Sequence, residues 1–204
     1  MEMSDENSSA ATLAAYQRYA AQYIELTSMA RSSLVDDLIA LTSTGSTVLE
    51  LGSGPGRDAA ALEAAGLVVH RTDGAVSFVE QFQLAGLEAR ILDVHADDFG
   101  GPYDAVFANA VLLHVSRLQL PRVLEVALRA TRVGGVLAAS FKKGTGEDWS
   151  TKKLDAPRRF TYWQEEDLRR VVLATGWTPL QITESTQPTS TERWITLTAR
   201  HLAH

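Results

Sequence analysis

Apolar and polar positions along the chain fall into a repeated beat of short apolar runs and helical stretches. From Ala10 to about Leu41, residues Leu13, Tyr16, Ala20, Tyr23 and Ile24 recur at helical spacing and Ser28–Ser33 reads as a break, so two helices are predicted before the first strand. Thr47–Leu51 is a continuous apolar run closing on an acid, the pattern of a buried strand. It breaks into Gly52-Ser53-Gly54-Pro55-Gly56 and then into an alanine-rich helix that runs from Asp58 to about Ala65 and stops at Gly66. The beat repeats with a second strand in Leu67–Asp73, a helix over Ser77–Leu84, a third strand at Leu87–Leu92 and a fourth at Tyr103–Ala108. A helix is predicted over Ser116–Thr131, with Leu120, Val123, Leu124, Ala127 and Leu128 on one face. Gly134-Gly135 is read as its cap before a fifth strand, Val136–Phe141.

Strands separated by helices or crossovers require a parallel sheet covered on both faces. The last third departs from this pattern. Lys142–Arg159 reads as a polar connection, Gln164–Thr175 as a helix, and Trp177–Glu184 and Trp194–Arg200 as strands close enough to pair as a hairpin around Gln187-Pro188, giving an antiparallel edge. Residues 1–204 are read as one domain, with residues 1–9 expected to lack fixed structure.

Composition narrows the function. The 204 residues carry a formal charge of −6 with acids and bases dispersed, so no basic stripe for nucleic acid is present. The absence of cysteine removes disulfides, thiolate metal sites and cysteine nucleophiles. No apolar run approaches a membrane span and Met1–Ser9 lacks a signal-peptide pattern, so a cytoplasmic protein is expected, acting on a small molecule without nucleic-acid or membrane partners, as a monomer or homodimer. His95 with Asp97-Asp98 lies in one loop without a matching ligand set, and no metal is expected.

The glycine turn between a buried strand and a helix lets backbone N–H groups approach a ligand closely. Gly54-Pro55-Gly56-Arg57-Asp58-Ala59 can be drawn as a dinucleotide fingerprint, a weak match taken alone. Asp73, closing the second strand, is placed to accept hydrogen bonds from ribose hydroxyls in either kind of cofactor. Glu50 would repel a pyrophosphate but suits the ammonium and sulfonium of S-adenosylmethionine. Asp93 is placed for an adenine amino group and the Asn109-Ala110 carbonyls for the methionine ammonium.

The chain resembles the class I S-adenosylmethionine-dependent methyltransferases. The resemblance is carried by Val48-Leu49-Glu50-Leu51-Gly52-Ser53-Gly54-Pro55-Gly56, Asp73, Leu92-Asp93-Val94, Tyr103 to Asn109, Leu113-His114-Val115, Val133 to Leu137 and Phe160 to Trp163. It implies a Rossmann-like α/β fold: a seven-stranded, mostly parallel sheet with an antiparallel C-terminal hairpin, helices on both faces, and an N-terminal helical lid over residues 10–41. It also implies S-adenosylmethionine as cofactor and S-adenosylhomocysteine as product, with Tyr16 touching the methionine moiety. Gln17 stands where an acid often follows that tyrosine, and Gly74-Ala75 replaces the usual polar pair after the second acid. Ser140 to Glu147, Arg159 to Tyr162 and Trp194-Ile195 look like a branch of small bacterial methyltransferases.

The cofactor set expected is Tyr16, Glu50, Gly52, Ser53, Gly54, Gly56, Arg57, Asp73, Gly74, Asp93, Val94, Asn109 and Ala110, with Arg57 a candidate partner for the cofactor carboxylate. The acceptor set is Tyr23, His114, Lys142, Trp149, Arg159 and Tyr162. Displacement at a sulfonium depends mainly on holding nucleophile, methyl carbon and sulfur in line, worth roughly 7–11 kcal/mol. A base is needed only if the acceptor's oxygen or nitrogen arrives protonated, and His114 is then the leading candidate. Two alternatives stay open: a nicotinamide-dependent oxidoreductase, and a regulator that binds the cofactor without turnover.

Overall fold

The structure is a computed structural model that describes residues 5–27, 32–186 and 192–203. Three helices precede the sheet: α1 (Asp5–Arg18), α2 (Ala20–Leu26) and α3 (Ser33–Leu41). The first reaches back to Asp5, well into the stretch expected to lack fixed structure, and the chain bends at Tyr19, where the backbone leaves helical angles (φ −113, ψ 25). Of the break expected over Ser28–Ser33, residues 28–31 lie outside the described residues, as do residues 1–4 and the Gln187-Pro188 turn.

The sheet elements follow as β1 (Thr47–Glu50), α4 (Arg57–Ala64), β2 (Val68–Asp73), α5 (Val76–Leu84), β3 (Ala89–Ile91) and β4 (Tyr103–Ala108). A 3-10 turn at Leu112–His114 then leads to α6 (Leu120–Ala130) and β5 (Thr131–Lys143). Strand pairing gives the order β3-β2-β1-β4-β5, all parallel. On the far edge of β5 lies β9 (Arg193–His201), antiparallel, and beyond it β8 (Trp177–Thr186), after α7 (Glu165–Ala174). These seven strands reproduce the mostly parallel sheet with an antiparallel C-terminal hairpin that the resemblance implied, and two further strands bring the sheet to nine.

Alternation along the central strands sorts the core into two layers. Val48, Ala105, Phe107, Val136 and Ala138 face α3 and α4, packing on Leu34, Leu38 and Leu62. Leu49, Val106, Leu137 and Ala139 face α6 and α7, packing on Leu124, Ala127, Leu168 and Val172. Near the sheet margin the pattern relaxes. Val68 and Ile91 are exposed, so β2 is buried only toward its end and β3 is a short edge.

Two expectations need correction. The helix predicted from Ser116 starts at Leu120, because Ser116–Gln119 forms a turn closed by Gln119 and Leu120 N–H bonds to the Ser116 carbonyl (3.1 and 3.0 Å). Gly134-Gly135 does not cap it. Thr131 already pairs with Tyr103, and the register shifts before Ala105 meets Val136. A Cβ on Gly135 would lie 2.7 Å from the Asp104 carbonyl, so the glycine lets β5 pass close to β4.

The larger difference lies in the polar connection. It contains β6 (Glu147–Ser150) and β7 (Arg158–Trp163), an antiparallel hairpin whose second strand also pairs parallel with Lys142 and Lys143 of β5. Lys142 therefore carries Trp194 of β9 on one edge and Tyr162 of β7 on the other. The hairpin occupies the edge of β5 that β4 vacates after Ala108, beside the 3-10 turn that holds His114.

Candidate active site

A cavity of about 540 Å³ opens beyond the carboxyl ends of β1, β2, β3 and β4, where ligands of parallel α/β sheets bind. Its floor is the glycine turn. Gly54 opens onto it at φ +49, where a Cβ would meet only Tyr23 at 4.0 Å, while a Cβ on Gly56 (φ +80) would lie 2.5 Å from Phe82. The left-handed conformation thus calls for glycine at both positions, and packing against Phe82 does so at Gly56.

Four acids line the cavity: Glu50, Asp58, Asp73 and Asp93. Asp73 is oriented by its own backbone neighbours, with Oδ2 accepting from Gly54 N–H (2.9 Å) and Oδ1 from Ala75 N–H (2.8 Å). Each oxygen keeps a lone pair for a ligand hydroxyl. Burial nonetheless raises its pKa against these bonds. Asp93 Oδ1 accepts from His95 N–H (2.9 Å), shaping the loop after β3.

Glu50 is 2 % exposed and its Oε2 is buried without a hydrogen-bond partner. Burial pushes its carboxyl up to about 7, the Ser53 hydroxyl opposing and the negative charges of Asp58 and Asp73 adding to the rise. An orphaned acceptor of this kind calls for a donor or cation from a ligand.

Asp58 escaped the sequence reading, where it only opened a helix. It is buried, ion-pairs with Arg57 (3.1 Å) and accepts from Asn109 Nδ2 (2.7 Å). Asn109 in turn accepts from the Ser140 hydroxyl (2.8 Å), which accepts from Ala110 N–H (2.8 Å). This chain holds Ala110 at φ +58, a left-handed conformation rare outside glycine. No local signal marks Ser140 or Asp58, since each acts through a strand or helix distant in sequence.

The roof is α1 with α2. Tyr16 and Tyr23 meet edge to face (centroids 5.2 Å) and pack against Phe78 and Ala75 at the start of α5. Gln17 has its own use, its Oε1 and carbonyl accepting from Ser77 N–H and Oγ (3.1 and 2.8 Å). At the other side α1 is fastened to β7: Arg159 N–H donates to Thr12 Oγ1 (3.0 Å) and its guanidinium pairs with Asp5 (2.9 Å) and Glu147.

His114 sits between roof and hairpin. Its Nδ1 is 2.6 Å from the Arg159 carbonyl, which can only accept, so Nδ1 carries the proton. Nε2 is then an acceptor and takes the Tyr16 O–H (2.9 Å), while Arg158 Nη1 donates to the Tyr16 oxygen (3.2 Å). Burial, only partly countered by the Arg159 carbonyl, pushes the imidazole down to about 3, with Arg158 and Lys142 adding repulsion. Tyr16 is pushed well above its usual value, chiefly by burial.

The cavity gathers every expected cofactor residue except Gly56, which supports the turn from behind, and of the acceptor set it gathers Tyr23 and His114. Lys142, Trp149, Arg159 and Tyr162 lie elsewhere. Lys142 pairs with Glu192 (2.9 Å) and shares a separate hollow of about 300 Å³ with Tyr162. Trp149 is solvent-exposed on the hairpin edge. Along β7 alternate side chains take opposite faces, so Arg158 and Phe160, not Arg159, turn toward Tyr16 and His114. His95, read as a surface-loop residue, lines the cavity instead, its pKa lowered by burial.

A parallel sheet bearing a glycine turn, acids at its strand tips and a separate helical roof defines a Rossmann-like fold for an adenosine-bearing cofactor. The sequence matches the family described as "Methyltransferase domain" over residues 16–182. No protein of curated function matches it. Among solved structures, 1,6-didemethyltoxoflavin-N1-methyltransferase from Burkholderia thailandensis, with bound 1,6-didemethyltoxoflavin and S-adenosylhomocysteine, is 18% identical (TM-score 0.78, covering 100% of this chain and 92% of that one). Magnesium protoporphyrin IX methyltransferase from Synechocystis PCC 6803, with bound S-adenosylhomocysteine, is 18% identical (TM-score 0.65, 92% and 84%). A Haloferax volcanii complex of the Trm112 methyltransferase activator with a putative methyltransferase gives 13% identity (TM-score 0.71, 95% and 98%). The chain belongs to the methyltransferase-domain family, within the class I S-adenosylmethionine-dependent methyltransferases, whose cofactor is S-adenosylmethionine. This resolves the two frames of the glycine turn in favour of the sulfonium cofactor.

Among the described residues no helix is long and apolar enough to cross a membrane.

Proposed function

We propose that the chain transfers a methyl group from S-adenosylmethionine to an oxygen or nitrogen of a small-molecule acceptor by direct in-line displacement. The cofactor supplies an electrophilic methyl on a sulfonium. The observation that carries the reading is the buried Glu50 Oε2, an acceptor without a hydrogen-bond partner at the glycine turn, which the ammonium of the cofactor would supply. Asp73 takes the ribose, Asp93 and Val94 the adenine, the main chain at Asn109 and Ala110 the ammonium, and Gly52 to Gly54 the turn of the methionine. Arg57 is placed for the carboxylate while Asp58 steadies it.

His114 fits a base less well than the sequence led one to expect. Both ring nitrogens are engaged, and burial leaves the imidazole too weakly basic to take a proton near neutrality. Its role in this reading is to hold Tyr16 over the site, with rate arising from alignment. A bound small molecule beside S-adenosylhomocysteine in the Burkholderia neighbour is in keeping with a small acceptor here.

Isothermal titration with S-adenosylmethionine and S-adenosylhomocysteine, followed by transfer of radiolabelled methyl across a panel of phenols, carboxylic acids, amines and heterocycles, tests the proposal. Binding of both ligands with transfer to at least one acceptor is expected. Absence of binding to either ligand sinks the cofactor assignment, and binding without transfer to any acceptor favours the regulator alternative.

A further inference from the structure

The cavity is electrically polarised. At the glycine turn Glu50 feels the carboxylates of Asp58 and Asp73 against the one cation Arg71, whereas the charges acting on the His114 imidazole are those of Arg158, Lys142 and His95. Lys142 has its own partner in Glu192. Arg158 does not. It is 3 % exposed, and its guanidinium donates to the Tyr16 hydroxyl and the Lys152 carbonyl and stacks over the rings of Tyr16 and Phe160 (5.4 Å to each centroid). Its Nε is buried without a partner, and no carboxylate among the described residues lies within ion-pair distance. A buried cation contacting only neutral groups is costly until an anion comes near.

We propose that the methyl acceptor is an anion (a carboxylate, a phenolate or an ionised heterocyclic nitrogen) that lies against the cavity face made by Tyr16 and His114, where the field of Arg158 favours it. The inference rests on the methyl-transfer reading and names its substrate class. Three donations in one direction, Arg158 to Tyr16, Tyr16 to His114 and His114 to the Arg159 carbonyl, use up the hydrogen-bonding capacity that a base would need. An acceptor already ionised needs none. Its lone pair forms the new bond to the methyl carbon as the carbon–sulfur bond breaks toward sulfur; the two charges cancel and no proton moves. An aliphatic alcohol, which must lose its proton in the step, finds neither nitrogen of His114 free to take it.

The test uses the full chain saturated with S-adenosylhomocysteine and titrated with benzoate or with its neutral isostere benzamide, by calorimetry or ligand-observed NMR. Benzoate should bind about tenfold more tightly, as expected for a unit charge several ångströms from a poorly screened cation. Arg158→Gln should remove the preference and Arg158→Lys should keep most of it, both with unchanged affinity for S-adenosylhomocysteine. Equal binding of the two probes by the unmodified protein, which needs no variant to fold, overturns the proposal, as does a preference that survives in Arg158→Gln. If instead Arg158→Gln weakens S-adenosylhomocysteine itself, the anion that Arg158 serves is the cofactor's carboxylate and the acceptor assignment falls. Failure of the unmodified chain to bind S-adenosylhomocysteine is a separate result, against the methyl-transfer reading.

Discussion

With the cofactor ammonium seated against Glu50 as proposed, cofactor binding should be linked to protons. In the ligand-free protein its carboxyl is pushed up from 4.5 to about 7, mainly by burial, so near pH 6 it is largely neutral. A cofactor ammonium beside Oε2 favours the carboxylate and returns the pKa toward its ordinary range. Binding below neutrality must then expel a proton, about 0.9 per molecule near pH 6 and about half that at pH 7. The same linkage tightens S-adenosylhomocysteine binding about eightfold between pH 6 and pH 7.5, with little further gain above that. Calorimetric titration in buffers of different ionisation enthalpy reads the proton count directly. In Glu50→Gln the release should vanish and affinity should become flat with pH. Titration of Asp73 or of the ligand's own amine would persist in that variant, so release that survives the substitution, or none in the unmodified protein at pH 6, refutes the reasoning. Stability runs the opposite way. Because the folded pKa lies above the unfolded one, Glu50 costs nothing below about pH 4.5 and destabilises the empty protein progressively as pH rises through 7, by about 3 kcal/mol at most. Ligand-free Glu50→Gln should therefore be the more stable protein at pH 8 and no more stable at pH 4.5, as read by urea unfolding.

Asp73→Ala should weaken S-adenosylhomocysteine about 100-fold, the cost of losing charge-assisted bonds to two hydroxyls; an affinity within threefold of the original would remove Asp73 from the ribose role. Tyr16→Phe leaves His114 Nε2 and Arg158 Nη1 without their shared partner and should cost about 1–3 kcal/mol in urea unfolding, with a loosened roof seen as faster amide exchange in α1. Stability unchanged within error would mean that these bonds contribute nothing net. Gly56→Ala drives a methyl to 2.5 Å from Phe82 at a backbone φ of +80 and should destabilise by about 2 kcal/mol or more; a neutral result by thermal melt would show that the turn relaxes freely.

The alternation of apolar runs with helical stretches, visible in the residues alone, specified the parallel sheet, the covering of both faces and the acids at successive strand ends. Such features are local: a strand's burial and the residue that closes it are written in a few consecutive positions. Glu50, Asp73 and Asp93 were legible for that reason, as was the glycine turn. The hairpin formed by β6 and β7 was not, because Glu147–Ser150 and Arg158–Trp163 are polar and gain strand structure by pairing with each other and with the end of β5. With the strand unseen, its parity was unseen too, and a shift of one residue separates Arg158 packed behind Tyr16 from Arg159 on the roof clamp. Nor does His114 announce its chemistry in sequence. Its tautomer comes from a carbonyl 45 residues away and its occupied Nε2 from a tyrosine 98 residues away, so whether it is base or strut is a property of the closed tertiary arrangement, where burial and two distant partners decide the proton.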